Sequence, residues 1–425
     1  MRRIQSPTLK TVWEVSLKNK TEIVFSALFT FILTLGYLLS TFDNIDVGGM
    51  GKQSILLYIC GSIVIWSIIF FCLTSIKQVC LRKPAVSKKI FLENISDKKL
   101  WLLTSCAIFI CYLPIILMGL TVLTPDSWSS IRQITGDLPL SNAHPIIFTA
   151  FAGIFIRFGL LFGNLEFGLV LFSLAQSAIL AMIFAHVIVW LRRQRIGKVG
   201  LVTTFIFYAI FPINAIAGII LWKDILFAGF GLLFLLALRQ LSVEGDKFFT
   251  RKKMFYFISL AFLFCAWRNN GFYAYVLFSI IYTMLNYRTF FKPKYLLIIF
   301  SPILLFLLYS SLSSLFSSPS SQGEAMSVPL QQIARTVKYH SNSISEEDKT
   351  IINEILPFDQ LGNKYNPSLS DPIKSSFNVN IFKENKVKYA KLWVSLLVDH
   401  KKTYLAAFLY NSFGYTYPFY PSTTT

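Results

Sequence analysis

The chain alternates between long apolar runs and short polar breaks. Runs such as 23-IVFSALFTFILTLGYLLSTF-42 and 102-LLTSCAIFICYLPIILMGLTVL-123 carry almost no charge. A helix needs about 20 mainly apolar residues to cross the hydrocarbon of a bilayer. The runs lack the short, alternating segments of an outer-membrane barrel. The pattern therefore predicts an all-α polytopic membrane protein with about nine spans, over 22–42, 54–76, 100–123, 165–191, 200–221, 225–238, 254–267, 272–286 and 295–316. The first run starts only near Ile23 and has no small-residue cleavage site, so it reads as a retained helix rather than a signal peptide.

One apolar stretch does not fit as a span. The segment 145-PIIFTAFAGIFIRFGLLFG-163 contains Arg157 and several glycines expected to break a helix. If it crossed, every later basic loop would change sides. It is expected instead to be an amphipathic helix lying on the outer interface. With that choice the short cytoplasmic segments hold 24 Lys and Arg, and the short outer connections hold five (Lys52, Arg132, Arg157, Lys223, Arg268). The excess of basic residues on one side orients the chain with its N-terminus in the cytoplasm. The loop 124–164 and residues 317–402 are then extracytoplasmic.

The last quarter has a different texture. 328-VPLQQIARTVKYH-340 has apolar residues at helical spacing, and 344-ISEEDKTIINEILPFD-359 opens with a serine and an acidic first turn. A turn-rich stretch, 362–378, leads into a further helical segment, 380–413, whose aromatic residues could rest on the bilayer. Three regions follow: an N-terminal two-helix segment (1–99), a transmembrane core (100–316), and a mainly helical extracytoplasmic domain (317–425). Ser-rich 310–323 reads as the linker between the last two.

Composition sharpens this picture only in places. The chain is 54% hydrophobic and 14% charged, with a net charge of +19. In a soluble protein that charge would suggest nucleic acid. Here the basic residues sit in loops between spans, where orientation explains them, so no nucleic-acid partner is expected. The six cysteines lie in or beside apolar runs with no CxxC or Cys/His spacing, and read as small core residues rather than ligands.

The candidate chemistry lies on the outer side. Asp126, Asp137, His144, Lys223, Asp224, Arg268, Asn269 and Asn270 come from three separate connections, yet all fall at the outer ends of helices. Each has a plain explanation. Pro125-Asp126-Ser127 resembles a helix N-terminus, His144 precedes a helix, Lys223-Asp224 could pair on the surface, and Arg268 could anchor at the interface. Asp137 sits in a turn, GDLP. Ionisable groups beside hydrocarbon are costly, so their convergence marks a functional candidate. A carboxylate, a histidine and two cations suit transfer from a lipid-linked phosphate. The cations neutralise the leaving phosphate, and the carboxylate deprotonates an attacking hydroxyl or holds a divalent metal.

An outer-loop aspartate after an early exiting helix, then interfacial helices and helix pairs, resembles the GT-C glycosyltransferases. These include protein O-mannosyltransferases, the aminoarabinose transferase of lipid A and oligosaccharyltransferases. The segments 125-PDS-127, 142-NAHP-145, 222-WKD-224, 268-RNNG-271, 326-MSVPLQQIAR-335 and 364-KYNPSLSDPIK-374 further resemble a family of Gram-positive membrane proteins labelled glycosyltransferase-like. The resemblance implies a cell-membrane transferase that moves a sugar from a polyprenyl-phosphate donor to an extracytoplasmic glycan, lipid or cell-wall polymer. It implies Asp126 as general base or as ligand of a divalent metal such as Mg or Mn. Lys223 and Arg268 would bind the phosphate, and His144, Asp224, Asn269, Asn270, Gln331 and Arg335 would contact substrate.

Two departures stand out. GT-C mannosyltransferases often carry paired acids in this loop, whereas Ser127 follows Asp126, leaving Asp137 or Asp224 as the second acid. Such enzymes also continue with more membrane helices after the outer domain, so this chain reads as a shortened member. Two other readings stay open: a glycolipid or polysaccharide transporter, which would need polar groups such as Gln176, His186 or Asn214 near mid-bilayer, and a non-catalytic membrane scaffold.

Overall fold

The computed structural model describes residues 20–41, 52–81, 91–118, 121–142, 144–318, 322–415 and 417. The basic N-terminal residues Arg2, Arg3, Lys10 and Lys18, much of the basic loop after residue 81, and the last residues lie outside them. The protein is a polytopic helical membrane protein. Among the described residues six helices are long and apolar enough to cross a bilayer, or seven if one bent pair counts as a single span. The chain divides into two compact units, one of residues 86–320 and one that joins 1–85 to 321–425. The N-terminal helix pair and the C-terminal domain, separate regions by sequence, thus fold as one body.

In the first unit the helices are α3 (Asp97–Leu117), α4 (Pro125–Thr135), α5 (Ile146–Leu161), α6 (Leu165–Arg193), α7 (Lys198–Ile210), α8 (Pro212–Ile219), α9 (Lys223–Glu244), α10 (Arg251–Trp267), α11 (Asn269–Leu285) and α12 (Pro293–Ser313). Helices α1 (Lys20–Thr41) and α2 (Lys52–Leu81) precede them in the chain and belong to the other unit.

Charged clasps gather at one end of the first unit. Asp97 at the start of α3 pairs with Arg192 and with Arg193 (2.8 Å) at the end of α6, and Arg192 also donates to the carbonyls of Leu92 and Ile95. Lys253 pairs with Glu244 at 2.5 Å, and Lys294 with Asp246 at 2.8 Å. The opposite ends of these helices carry the connections 121–145, 220–222, 268 and 314–318.

Two expectations change. The segment 200–221, read as one span, is two helices bent by 44° at Phe211–Pro212. Pro212 has no N–H to continue α7 and takes the first position of α8, where that lack costs nothing. The Tyr208 carbonyl that Pro212 leaves without an N–H accepts from Tyr112 Oη (2.6 Å), and Asn214 Nδ2 adds a second donor to the Phe207 carbonyl (2.8 Å). Gly153 and Gly159, expected to break a helix, lie instead inside the uninterrupted α5, and only Gly163 (φ +69°) falls beyond its end. A Cβ on Gly159 would sit 2.3 Å from the backbone nitrogen of Gly168, so α5 and α6 touch backbone to backbone there. Phe148, Phe151 and Phe155, on successive turns of α5, all pack on Phe172 of α6. Phe148 and Phe151 also meet Trp267 at the end of α10.

In the second unit the main helices after α1 and α2 are α13 (Ser327–His340), α14 (Glu346–Ile355), α15 (Phe358–Lys364), α16 (Lys386–Asp399) and α17 (Lys401–Ser412). Their buried apolar residues, among them Leu330, Ile352, Leu361, Leu392 and Tyr404, form one core. Ser345 caps α14 through the backbone N–H of Asp348 (3.1 Å), as its sequence predicts.

Candidate active site at a polar rim

The site begins with the start of α4. Its cap is Thr124, whose Oγ1 accepts from the Ser127 N–H (3.2 Å), while Ser127 Oγ accepts from the Thr124 N–H (2.8 Å). Pro125 takes the first helical position and Asp126 the second. The capping work falls to Thr124 and Ser127, so the Asp126 carboxylate is available to reach elsewhere. Ser127 Oγ also donates to the carbonyl of Leu221 (2.7 Å), and Val122 bridges to Ile220. The start of α4 is thereby sewn to the connection that leads into α9.

That connection is held from below as well. Gln176, fully buried in α6, sends its amide nitrogen to the carbonyls of Ala217 (3.0 Å), Gly218 (3.2 Å) and Ile220 (2.7 Å). These carbonyls end α8 within apolar surroundings, where an unpaired backbone group is expensive. A Cβ on Gly218 would meet Ser177 Oγ at 2.2 Å, so a larger residue here would have to displace that hydroxyl.

The two sewn segments deliver the charges. Lys223 Nζ, 14% exposed, pairs with Asp126 Oδ2 at 3.0 Å; the aspartate side chain is 53% exposed. Asp224 pairs with Arg268, the single extended residue between α10 and α11. Lys223 and Asp224 therefore do not pair with each other as surface neighbours. They reach in different directions, each to an opposite charge from another connection. The Arg268 guanidinium stands 5.9 Å from the centre of the Phe227 ring. Gly271 lets α11 start this close to α10, because a Cβ there would lie 2.4 Å from the carbonyl oxygen of Phe264. Asn269 Nδ2 donates to the carbonyl of Asn142 (2.7 Å), which in turn draws 140–142 and Ser318 into the same rim. His144 is buried two residues further on.

The charges act on one another. Burial alone would raise the Asp126 carboxyl, but the Lys223 ammonium, with His144 and Arg268 adding, holds it below the ordinary aspartate range. Asp126 and Asp224 also feel each other's charge. Of the two possible second acids, Asp224 is thus the one beside Asp126. Asp137 accepts from Thr135 Oγ1 (2.6 Å) in its own exposed turn, where Gly136 adopts φ +94°. Among the described residues no three His, Cys, Asp or Glu side chains gather closely enough to hold a metal ion. Asp126 and Asp224 are each engaged by a cation instead.

Below the rim runs an apolar groove of about 420 Å³. Its walls are Ala228, Gly231, Leu232 and Leu235 of α9, Phe264 of α10, and Ala274, Tyr275 and Phe278 of α11. It starts one turn past Lys223–Asp224 on α9 and one turn past Asn270 on α11. The sequence did not disclose it, because only packing decides which residues of α9, α10 and α11 face one another.

The chain belongs to the DUF6020 family. Its match, to a family of unknown function, covers residues 134–420. It contains Lys223, Asp224 and Arg268 with the whole groove, whereas Asp126 lies before it. Curated proteins and solved structures give no match.

Two predicted substrate residues belong to the second unit. Gln331 and Arg335 are each 1% exposed, in the core of the second unit. Gln331 donates to the Asn366 carbonyl (2.9 Å) and Arg335 to Tyr365 Oη (3.0 Å). Arg335 is also faced by the rings of Tyr410 (4.7 Å) and Tyr339 (4.8 Å). Their place is internal cohesion rather than an acceptor-facing surface. Asn270 is exposed at the second position of α11.

Proposed function

We propose that this protein is a GT-C-like membrane glycosyltransferase that moves a sugar from a polyprenyl-phosphate donor to an extracytoplasmic glycan, lipid or wall polymer. The observation that carries the reading is the pair of interlocked ion pairs, Lys223–Asp126 and Arg268–Asp224, set directly above an apolar groove. In this reading the donor's hydrocarbon chain lies in the groove and its phosphate competes with the carboxylates for Lys223 and Arg268. Arg268 suits a planar, two-point grip on phosphate oxygens. Losing Lys223 to the phosphate would return basicity to Asp126 just as a substrate binds. The acceptor oxygen then attacks the anomeric carbon, its proton passes to Asp126, and the bond to the phosphate oxygen breaks. The lipid phosphate leaves with its charge met by the two cations. His144 and Asn269 border this space. The same reading makes the rim extracytoplasmic and counts nine spans, with the 17-residue helices α10 and α11 and the bent α7–α8 among them.

The transporter alternative needs uncommitted polar groups in mid-span. The amide nitrogens of Gln176 and Asn214 are spent on backbone carbonyls, and His186 stands against Tyr256 Oη (3.5 Å). The closeness of Asp126, His144 and Arg268 favours a site over a scaffold. The test is envelope glycan analysis of a deletion strain restored with wild type, Asp126→Asn or Arg268→Ala. The wild type should restore a missing glycan modification, and both variants should fail at normal protein level. An envelope identical with and without the gene would remove the enzymatic reading.

A further inference from the structure

The second unit contains an outward face with no use in the chemistry above. On α16, Val387, Lys391, Val394 and Val398 recur at helical spacing on the side opposite the buried Tyr389, Leu392 and Leu396. On α17, Lys401, Leu405 and Phe408 do the same opposite Thr403, Tyr404, Ala407 and Tyr410. Val394 is 50% exposed, Val398 57%, Leu405 57% and Phe408 47%. Lysines border them: Lys386, Lys391, Lys401 and Lys402 are all exposed, with Asp399 and Glu384 as the nearby acids.

The position of α17 says what covers this face. Ala406, Tyr410, Phe413 and Tyr417 form one buried cluster with Leu39 of α1, joined by Leu33 and Leu35. Tyr417 lies so close to Gly36 that a Cβ there would meet its ring at 2.5 Å. Helix α1 has 22 residues, hence about 33 Å of length, and Gly36 lies about 8 Å from its Thr41 end. A hydrocarbon layer is about 30 Å thick. A helix packed on α1 at that level is at the boundary of one leaflet, not clear of it.

We propose that the outward face of α16 and α17 is a membrane-docking surface. Val394, Val398, Leu405 and Phe408 enter the acyl region of the leaflet at the Thr41 end of α1, and Lys391, Lys401 and Lys402 meet anionic headgroups. Apolar residues flanked by lysines are the composition that seats a helix in a lipid interface. The C-terminal domain is therefore a half-embedded body rather than one free in solution.

The test uses the full-length chain, with its six cysteines replaced, in vesicles of phosphatidylcholine and phosphatidylglycerol. An environment-sensitive fluorophore is placed on Leu405→Cys, Phe408→Cys or, as the control, Glu347→Cys. Nitroxide-labelled acyl chains should quench the first two more strongly than the control, by about threefold or more. The double variant Lys401→Glu/Lys402→Glu should reduce quenching at Phe408→Cys in vesicles containing phosphatidylglycerol. Equal quenching at all three positions would overturn the proposal. So would labels at 405 and 408 that are shielded from water yet not quenched, because a protein partner or second copy would then be the occupant. If the cysteine-free chain does not fold, a photoreactive amino acid at position 408 or 347 of the unaltered chain gives the same decision: crosslinks to lipid at 408 and not at 347 support the proposal, and crosslinks to protein alone overturn it.

Discussion

Asp126 shows how much one residue's role depends on its neighbours. By sequence it could be the cap of a helix, a loop acid or a catalytic group. Thr124 and Ser127 take the capping role, and the aspartate turns to Lys223. Ser127, which stands where a second acid was expected, is buried and bonded to the Leu221 carbonyl. A carboxylate there would face a carbonyl oxygen without a proton to share. Because the folded carboxyl is held below its ordinary value, its contribution to stability is present above the unfolded pKa and is lost as pH falls through the folded one. Asp126 should therefore show no titration between pH 5 and 8. Lys223→Met should move its titration upward, read as the infrared carboxyl band that disappears in Asp126→Asn. An unmoved band would mean that Lys223 does not govern the carboxylate.

Elements in this protein meet through backbone as much as through side chains. At Gly159, against the backbone of Gly168, and at Gly271, against the Phe264 carbonyl, a methyl group would not fit. Small residues serve this purpose between membrane helices, where burial of apolar surface supplies little drive. The broken pair α7–α8 leaves carbonyls in apolar surroundings, and Gln176 gathers three of them. Gln176→Leu keeps the volume but removes the donor, so it should destabilise the protein by about 1–3 kcal/mol. The check is the melting temperature in detergent, which should fall in Gln176→Leu. An unchanged melting temperature would show that the connection holds its place without the amide.

At the scale of the molecule, the charge pattern and the packing point to one arrangement. The basic clasps sit at one end of the first unit and the rim site at the other. A rim outside the cell and clasps in the cytoplasm predict that Asp137→Cys labels with an impermeant maleimide in intact cells, while Ser242→Cys labels only after permeabilisation. The reverse pattern would invert the topology and place the proposed chemistry on the cytoplasmic face. The family match covers residues 134–420, parts of both units, and takes in Lys223, Asp224 and Arg268 but not Asp126.

Sequence by itself determined the helical membrane class, the place of most helices, and the connections that carry Asp126, Lys223, Asp224 and Arg268. Hydrophobic length and loop charge are local properties, so they can be read along the chain. Tertiary structure decided who meets whom: Lys223 with Asp126 rather than Asp224, Arg268 with Asp224, and Gln331 and Arg335 in a core rather than at a site. It also turned glycines that looked like helix breakers into contact points, and it joined the first two helices to the last domain. These are pairings between residues tens to hundreds of positions apart. They follow from close packing and charge satisfaction in three dimensions, which no pattern along one chain contains.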